Sequence, residues 1–379
     1  MHRYWTVLTA GIVTLVVTVL LAGCSSSGSV STHKADSSGV TRARALIAAA
    51  SGQVTWTAPG PAFDARPAAG KSVVWVSDNQ SIPFSTDTYA GFKAGLNADG
   101  VKTSIFDSQS SLGTADRGIR QAADAGAAAI MLQDIPSGGV SSAVNYATSK
   151  HVPVFGFTTQ ESGVAALAPL SGQTSFCYSC AGRLMAAQAV VQSNGSFKGV
   201  IFEATTVGAI NTAEVQGITS GVKEFCPQEC SVSVKDVPVA TWASQMTTAT
   251  TTAVADPSIG YLFPIYDGAL PYVLTGLRSS HTDNRVRVVS YNASQGIIDN
   301  IAKKTPLTAD PGNPSAWAGW AAADQVLRVL TGHPAAQDAH IPLRNFDASN
   351  VGTLDPGKPD SWYPGVDYQT KYRSLWSLK

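Results

Sequence analysis

The sequence predicts an α/β protein whose chain forms two lobes, each built on a parallel sheet with helices on both faces. Short, β-branched apolar runs alternate with amphipathic segments of helical length from about residue 71 onward. This alternation restarts after Gln173, which indicates a second lobe. The length agrees, because the roughly 350 residues beyond the first apolar segment are more than one core usually fills.

The N-terminus has the pattern of a secretion signal. His2 and Arg3 precede an apolar run from Val7 to Leu21, which is shorter than the roughly 20 residues that a membrane-spanning helix needs. The run ends in Leu21-Ala22-Gly23-Cys24, which resembles the lipobox of bacterial lipoproteins. That resemblance implies removal of residues 1–23 and a lipid anchor on Cys24. The alternative is an ordinary cleaved signal with an incidental cysteine.

The composition favours a globular protein that does not bind nucleic acid. Charged residues make up 14% of the chain, the formal net charge is zero, and the lysines and arginines form no cluster. Residues 24–70 are rich in Ser, Gly, Ala and Pro, with one weak helical stretch near Thr41 to Ala50. We therefore expect a flexible tether over residues 24–70 and an ordered body that begins near Lys71.

The first lobe opens with Lys71 to Ser77, a β-branched apolar run typical of a buried parallel strand. A helix over Thr86 to Leu96 follows, with its aromatic residues on one face. The same alternation predicts three further strands, Val101 to Asp107, Ala128 to Leu132 and Val152 to Phe157. It also predicts two further helices, Ala115 to Ala125 and Gly139 to Ser149.

The second lobe repeats this alternation. Its predicted helices are Phe176 to Gln192, Ile210 to Phe225, Ser244 to Ala255 and Ala269 to Leu277, and its predicted strands are Gly199 to Glu203, Ser231 to Val237, Gly260 to Pro264 and Val286 to Tyr291. Two such lobes leave a cleft between them. Ligands of open parallel sheets bind beyond the carboxyl ends of the strands, so the loops there form the candidate site.

An ordered series of motifs carries a resemblance to a known family. VVWVSDNQSIPF, IFDSQ, AGAAAIMLQDIP, VPVFGF and VVSYNAS follow one another along the chain. In this order they resemble type I periplasmic binding proteins of the ribose-binding branch, which feed ABC transporters and share their fold with the effector domain of lac-repressor-type regulators. The resemblance implies a monomer with two Rossmann-like βα lobes and a three-segment hinge, near residues 170–173, 310–314 and 341–345. The N-terminal lobe would comprise 71–172 plus 311–343, and the C-terminal lobe 173–310 plus 344–379.

The resemblance also implies the ligand-contacting residues. Phe84 would stack on one face of a ligand ring, and Trp242 would cover the other face, although a buried aromatic is also a common core residue. The implied polar contacts are Asn79, Thr158, Thr159, Tyr266, Asp267, Asn292 and Asp310. Asp267 precedes a predicted helix and could also act as its N-cap.

Four of these positions depart from the ribose-type pattern. Thr158-Thr159 stands where the family often has an Asp-Arg pair, Tyr266 where it has Asn, and Asn292 where it has Asp. Charged groups make the stronger hydrogen bonds to sugar hydroxyls. We therefore expect a different sugar, a polyol or a less polar molecule.

Four cysteines remain besides Cys24, in the motifs FCYSCAG and FCPQEC. An exported protein with four such cysteines is expected to hold two disulfides. A disulfide needs Cα atoms within about 7 Å, which favours the local pairs Cys177 with Cys180 and Cys226 with Cys230.

These observations predict an extracytoplasmic solute-binding lipoprotein that delivers a small polar ligand, a sugar or polyol, to an ABC transporter permease. A receptor that presents its ligand to a membrane sensor is one alternative. A thiol-disulfide oxidoreductase that uses the C-x-x-C motif is another, but the motif does not sit in a small thioredoxin-like domain. The sequence shows no catalytic constellation, metal-ligand spacing or phosphate loop, so we expect neither enzymatic activity nor a metal or cofactor.

Overall fold

Two five-stranded sheets, parallel throughout, organise residues 37–378, which are the residues that this computed structural model describes. The first sheet has the order β2-β1-β3-β4-β5, with β1 (Ser72–Ser77), β2 (Lys102–Asp107), β3 (Ala129–Gln133), β4 (Val154–Phe157) and β5 (Gly172–Thr174). The second has the order β10-β9-β8-β6-β7, with β6 (Phe197–Glu203), β7 (Cys230–Asp236), β8 (Ile259–Pro264), β9 (Arg287–Val289) and β10 (Leu307–Ala309). The predicted α/β architecture is confirmed.

Helices cover the sheets. They are α1 (Ser37–Ala50), α2 (Pro83–Ala98), α3 (Leu112–Asp124), α4 (Ser141–Ser149), α5 (Tyr178–Gln192), α6 (Ala209–Phe225), α7 (Thr247–Val254), α8 (Leu270–Ser279), α9 (Asp299–Ala302), α10 (Ser315–Leu330) and α11 (Tyr368–Leu375). Within residues 37–378, none of these helices has the length and apolarity needed to cross a membrane.

Each lobe contains one pair of helices in very close contact. In the first lobe α2 packs on α10, and a β-carbon at Gly91 would lie 2.1 Å from the carbonyl oxygen of Ala316. In the second lobe α5 packs on α6, and a β-carbon at Gly182 would lie 2.2 Å from the carbonyl oxygen of Glu214. Only glycine permits this backbone approach at either position.

The ordered body begins earlier than the sequence predicted. The expected tether over residues 24–70, with a body starting at Lys71, is wrong from Ser37 onward. Helix α1 packs against α5 and α6, with Val40 and Ala43 buried. Trp56 then stacks on Trp317 at 5.6 Å between ring centroids. This segment has little apolar area of its own and is ordered by the surfaces on which it packs. Cys24 lies outside the described residues.

Besides the segments after α1 and before α11, which also pass from the second lobe to the first, the chain crosses between the lobes at three places. The first crossing follows β5, a little beyond the predicted 170–173, since Gly172–Thr174 still pairs with β4. The second and third crossings lie side by side, because Gly312 and Arg344 exchange two backbone hydrogen bonds of 2.9 Å. Beyond them, the backbone N–H of Asp310 donates to the carbonyl oxygen of Phe346.

The C-terminal residues differ from the predicted boundary of 344–379 for the second lobe. Phe346 and Asp347 do lie beside β10, as expected. Helix α11, however, packs on α10 in the first lobe, where Trp376 stacks on Trp320 with a 5.4 Å centroid separation. The Trp376 indole N–H also donates to Asp324 at 2.8 Å. The tail returns to the first lobe because its aromatic rings find partners there.

Both locally predicted disulfides are present. The Cα atoms of Cys177 and Cys180 are 5.2 Å apart, and those of Cys226 and Cys230 are 5.5 Å apart. Cys177 directly precedes α5, just after the first crossing. The two bridges therefore fix short local turns and do not join distant elements.

Replacing Trp376 by alanine is expected to lower the free energy of unfolding by about 3–5 kcal/mol, because a fully buried ring and its hydrogen bond to Asp324 are lost. Trp56→Ala, at a half-buried tryptophan that contacts the same aromatic cluster, should cost only about 1–2 kcal/mol. Urea denaturation of both variants measures the difference. Equal losses would contradict docking of α11 on the first lobe.

Candidate functional site

A cavity of about 450 Å³, its open mouth included, lies between the lobes at the carboxyl ends of both sheets. The enclosed free space within it is only about 40 Å³, so the cleft is nearly closed in this structure. The first lobe contributes Asp78, Ile82, Phe84, Ser85 and Asp134, and the second contributes Tyr178, Val207, Ile210, Val239, Trp242, Tyr266 and Asn292. The lining is thus mainly apolar and aromatic, with a few polar groups.

Phe84 and Trp242 contribute aromatic rings to the cavity lining from opposite lobes. Phe84 sits at the start of α2, where Pro83 fixes the first helical turn, and its ring contacts those of Phe157 and Phe176. Trp242 begins a π-helical turn over Trp242–Met246, and its indole N–H donates to the carbonyl oxygen of Val237 at 3.0 Å. Both rings are more than nine-tenths buried, so their orientation is fixed by packing.

Two carboxylates project from the first lobe into the cavity. Asp78 directly follows β1 and accepts a 2.9 Å hydrogen bond from the hydroxyl of Ser110. Asp134 directly follows β3 and accepts a hydrogen bond from the hydroxyl of Thr158. Burial, with a smaller contribution from a neighbouring carboxylate, raises the pKa of Asp78 to about 6 and the pKa of Asp134 to about 7. Both groups therefore titrate near neutral pH.

Several loops of the site have left-handed backbone conformations at residues other than glycine. Asp134 has φ of 55°, Thr158 has φ of 58°, and Asn292 has φ of 124°. Aspartate and asparagine tolerate this region better than most residues, but a β-branched threonine is a genuine outlier. Backbone strain of this kind concentrates at binding sites, where the surrounding structure imposes it.

Two tyrosines form part of the second-lobe wall, and a buried acid lies behind them. Tyr178 and Tyr266 line the cavity, and the carboxyl group of Glu214 on α6 is fully buried and close enough to influence both rings. Burial raises the pKa of Glu214 well above its usual range, so this side chain is a neutral acid at physiological pH. The charge near the ligand space therefore comes from the first lobe.

Asp267 and Asp310 form a buried carboxyl pair deeper in the second lobe. Asp267 accepts hydrogen bonds from the backbone N–H of Ser294 at 2.7 Å and from its hydroxyl at 2.9 Å. Burial, reinforced by the neighbouring carboxylate of Asp267, raises the pKa of Asp310 well above its usual range. Two such groups cannot both ionise, so the pair holds a proton. It supports the loop that carries Asn292.

The predicted site residues fall into two groups. Phe84, Trp242, Tyr266 and Asn292 line the cavity. Asn79 lies in the loop after β1 and is occupied within it, since its side-chain carbonyl accepts from the N–H and the hydroxyl of Ser81. The side chains of Thr158, Thr159, Asp267 and Asp310 are buried behind the lining, and the first of these positions Asp134. Their direct contact with a ligand stays a prediction.

Sequence reasoning missed four polar residues of the lining, which are Asp78, Ser85, Asp134 and Tyr178. Asp78 and Asp134 each stand at the first position after a strand, which is where ligand-facing residues of parallel sheets occur. Tyr178 was obscured because it lies inside the C-x-x-C motif, which drew attention to its cysteines. Reading the first residue after every strand would have found the two carboxylates.

The chain belongs to the family described as periplasmic binding protein domain, which it matches over residues 73–334. This is a family of solute-binding proteins that act outside the cytoplasm. No curated protein matches the sequence significantly.

Solved structures show the same fold. An ABC sugar transporter subunit from Rhodobacter sphaeroides is similar with a TM-score of 0.66 and 16% identity, over 74% of this chain and 99% of the other. The myo-inositol binding protein of Caulobacter, bound to myo-inositol, gives a TM-score of 0.65 and 16% identity over 74% and 94%. An ABC transporter solute-binding protein from Agrobacterium vitis, bound with α-D-tagatopyranose, gives 0.68 and 13% over 76% and 98%.

Asp134→Asn is expected to stabilise the protein at pH 8 by roughly 1–3 kcal/mol. The wild-type folded state keeps the Asp134 proton up to about pH 7, whereas the unfolded chain releases it near its ordinary pKa. Stability of the wild type therefore falls between about pH 4 and pH 7 relative to the variant, whose amide does not titrate. Denaturation of both proteins at pH 4.5 and pH 8 measures this.

Asp124→Asn is the control with the opposite sign. Lys150 lowers the pKa of this exposed carboxylate, so its removal should bring no gain in stability at pH 8. Loss of stability in Asp134→Asn at pH 8 would show that its carboxylate is better stabilised than its burial indicates.

Proposed function

We propose that the protein is an extracytoplasmic solute-binding lipoprotein. It captures a small polar ligand, a sugar or polyol, in the cavity between the lobes and delivers it to an ABC transporter permease. The observation that carries this proposal is the cavity itself, where aromatic rings from both lobes and carboxylates from one lobe converge. Binding of myo-inositol and tagatopyranose by proteins of the same fold supports it.

The chemistry of the lining suits a polyhydroxylated molecule. The faces of Phe84 and Trp242 offer apolar surface to the C–H groups of a ring. Asp78, Asp134 and Asn292 offer acceptors for hydroxyl groups, and hydrogen bonds to ionised acceptors are the stronger ones. The ring faces provide affinity and the polar groups provide orientation.

Ligand capture involves closure of the lobes about the three crossings. In this structure the two lobes are in direct contact on the sides of the cleft. Pro136 of the first lobe lies 3.6 Å from the position of a β-carbon at Gly208 of the second, and Ile82 lies 3.5 Å from the corresponding position at Gly268. A ligand that contacts both walls favours this closed form, which a membrane partner can recognise. The same closed form would serve a sensor, so a signalling partner is the second candidate.

We propose no enzymatic role for the C-x-x-C motif. Cys177 and Cys180 are joined in a disulfide at the start of α5, and Glu161 caps this helix by accepting from the backbone N–H of Ser179 at 2.9 Å. This arrangement supports a structural bridge beside the first crossing. Among residues 37–378, His, Cys, Asp and Glu side chains form no group of three suited to a metal ion.

A thermal-shift screen of sugars, polyols and amino acids is expected to identify a stabilising sugar or polyol, because a ligand of the native state raises its apparent stability. With that ligand, Trp242→Ala and Phe84→Ala should each lose about tenfold to a hundredfold in affinity, which corresponds to roughly 1–3 kcal/mol of lost burial and contact. Isothermal titration calorimetry measures the affinity.

Phe225→Ala serves as the control, since Phe225 is a fully buried aromatic of α6 that does not line the cavity. It should lower the melting temperature and leave the affinity unchanged. Intact affinity in both cavity variants would place the ligand elsewhere, and a screen in which only amino acids bind would overturn the sugar or polyol assignment.

Cys24→Ser is expected to release the protein from the membrane fraction or to leave its signal unprocessed, because acylation needs the thiol of the lipobox cysteine. Cell fractionation and mass measurement of the N-terminus report the outcome. Ser25→Ala, one residue further on, should leave both unchanged. Membrane association and processing that survive in Cys24→Ser would rule out the lipid anchor.

A further inference from the structure

The ligand cavity contains negative charge without a countercharge from the protein. Asp78 and Asp134 are the charged residues of its described lining, which holds no lysine, arginine or histidine. The groups that face Asp78 are the hydroxyl of Ser110 and the carboxylates of Asp107 and Asp134. Those that face Asp134 are the hydroxyl of Thr158, the carboxylate of Asp78 and the phenols of Tyr178 and Tyr266. None of these neighbours is a cation.

A carboxylate in the core of the same protein has stronger partners than Asp78 and Asp134. Asp324 is fully buried and receives 2.7 Å and 2.8 Å hydrogen bonds from the guanidinium of Arg328 and the indole of Trp376. A buried carboxylate is costly unless a cation or several donors compensate it. Asp78 and Asp134 each receive one side-chain hydroxyl and remain turned toward the cavity. Their countercharge must therefore come from a proton or from the ligand.

The remaining walls favour a cation over a neutral group. Trp242 and Phe84 present aromatic rings, and Tyr178 and Tyr266 lie beside them. The faces of such rings attract an ammonium group, most strongly when it is desolvated. Carboxylates from the first lobe and aromatic rings from both lobes thus form a site for a protonated amine that also carries hydroxyl groups.

We propose that the ligand of this cleft is a hydroxylated amine, such as an amino sugar or an aminopolyol, whose ammonium group binds Asp78 and Asp134. This inference rests on the proposed solute-binding function and names the chemical class of the solute. A metal ion is the less favoured source of charge, because no three acidic, cysteine or histidine side chains of the described residues are placed to hold one together.

The pH dependence of binding follows from competition with protons. A cation binds the ionised carboxylates, and Asp78 and Asp134 titrate near pH 6 and pH 7. Affinity for an amine that stays protonated over this range, such as 1-amino-1-deoxy-D-sorbitol, should therefore rise as the pH increases from 5.5 to 8. A neutral sugar gains only the stronger hydrogen bonds that ionised acceptors make to its hydroxyl groups, so its affinity should rise less than that of the amine over the same range.

Matched pairs of compounds test the inference. We would measure calorimetric affinities for 1-amino-1-deoxy-D-sorbitol against D-sorbitol, D-glucosamine against D-glucose, and D-galactosamine against D-galactose, on the mature protein. At pH 7.5 the amine of at least one pair should bind ten times or more tightly than its hydroxyl partner, and that advantage should grow between pH 5.5 and 7.5. The advantage should disappear in the double variant Asp78→Asn, Asp134→Asn.

Asp87→Asn is the matched control, since Asp87 is a partly buried acid of α2 outside the cavity lining, and it should retain the preference for the amine. Circular dichroism and melting curves check that each variant folds, and the two single variants replace the double one if it does not. Calcium chloride alone should leave the melting temperature unchanged.

The possible failures are distinguishable. Binding of the neutral members with equal or greater affinity at pH 7.5 would overturn the amine inference and leave the proposed solute-binding function intact. Stabilisation by calcium to the same extent as by an amine would also overturn it, in favour of a metal site. If no member of any pair binds and the wider screen of sugars and polyols is empty, both the inference and the proposed function fall.

Discussion

The backbone pairing of the second and third crossings is the constraint on which the cleft depends. Gly312 and Arg344 hold these segments side by side, and a β-carbon at Gly312 would lie 2.4 Å from the carbonyl oxygen of Asn292. The paired segments therefore press against the loop that forms part of the second-lobe wall. Asn313 extends this link, because it accepts a hydrogen bond from the hydroxyl of Tyr291 and donates one to the carbonyl oxygen of Pro342. Hinge and binding wall are thus parts of one hydrogen-bonded unit.

Much of the fold was predictable because its long elements have local signals. β-branched runs such as Ser72–Ser77 are recognisable wherever they occur, and their alternation with helices determined the sheet type. The strands Gly172–Thr174 and Leu307–Ala309 were not predictable, since three residues are too few for a periodic pattern. Helix α1 and the C-terminal tail were misjudged for another reason. Their order depends on surfaces distant in sequence, which composition does not report.

The site was only partly predictable for a similar reason. Phe84, Trp242, Tyr266 and Asn292 follow from family resemblance, and all four line the cavity. Asp78 and Asp134 matter because no lysine, arginine or histidine of the described lining lies beside them. The sequence does not show this, since the lining residues come from distant parts of the chain. Burial of the Asp134 carboxyl reduces the stability of the folded state at high pH. Residues that lower folding stability are typical of functional sites, where they are kept because the function needs them.

The two walls of the cleft divide the work of binding unequally. The charged groups of the lining belong to the first lobe, whereas the second lobe contributes rings and the amide of Asn292. In an open form the first-lobe carboxylates are hydrated and attract a cationic solute by charge. The second-lobe rings lose their water only when the lobes close on the solute. Away from the crossings, Pro136 and Ile82 of the first lobe lie beside Gly208 and Gly268 of the second. A ligand that touches both walls adds to these contacts and so raises the population of the closed form.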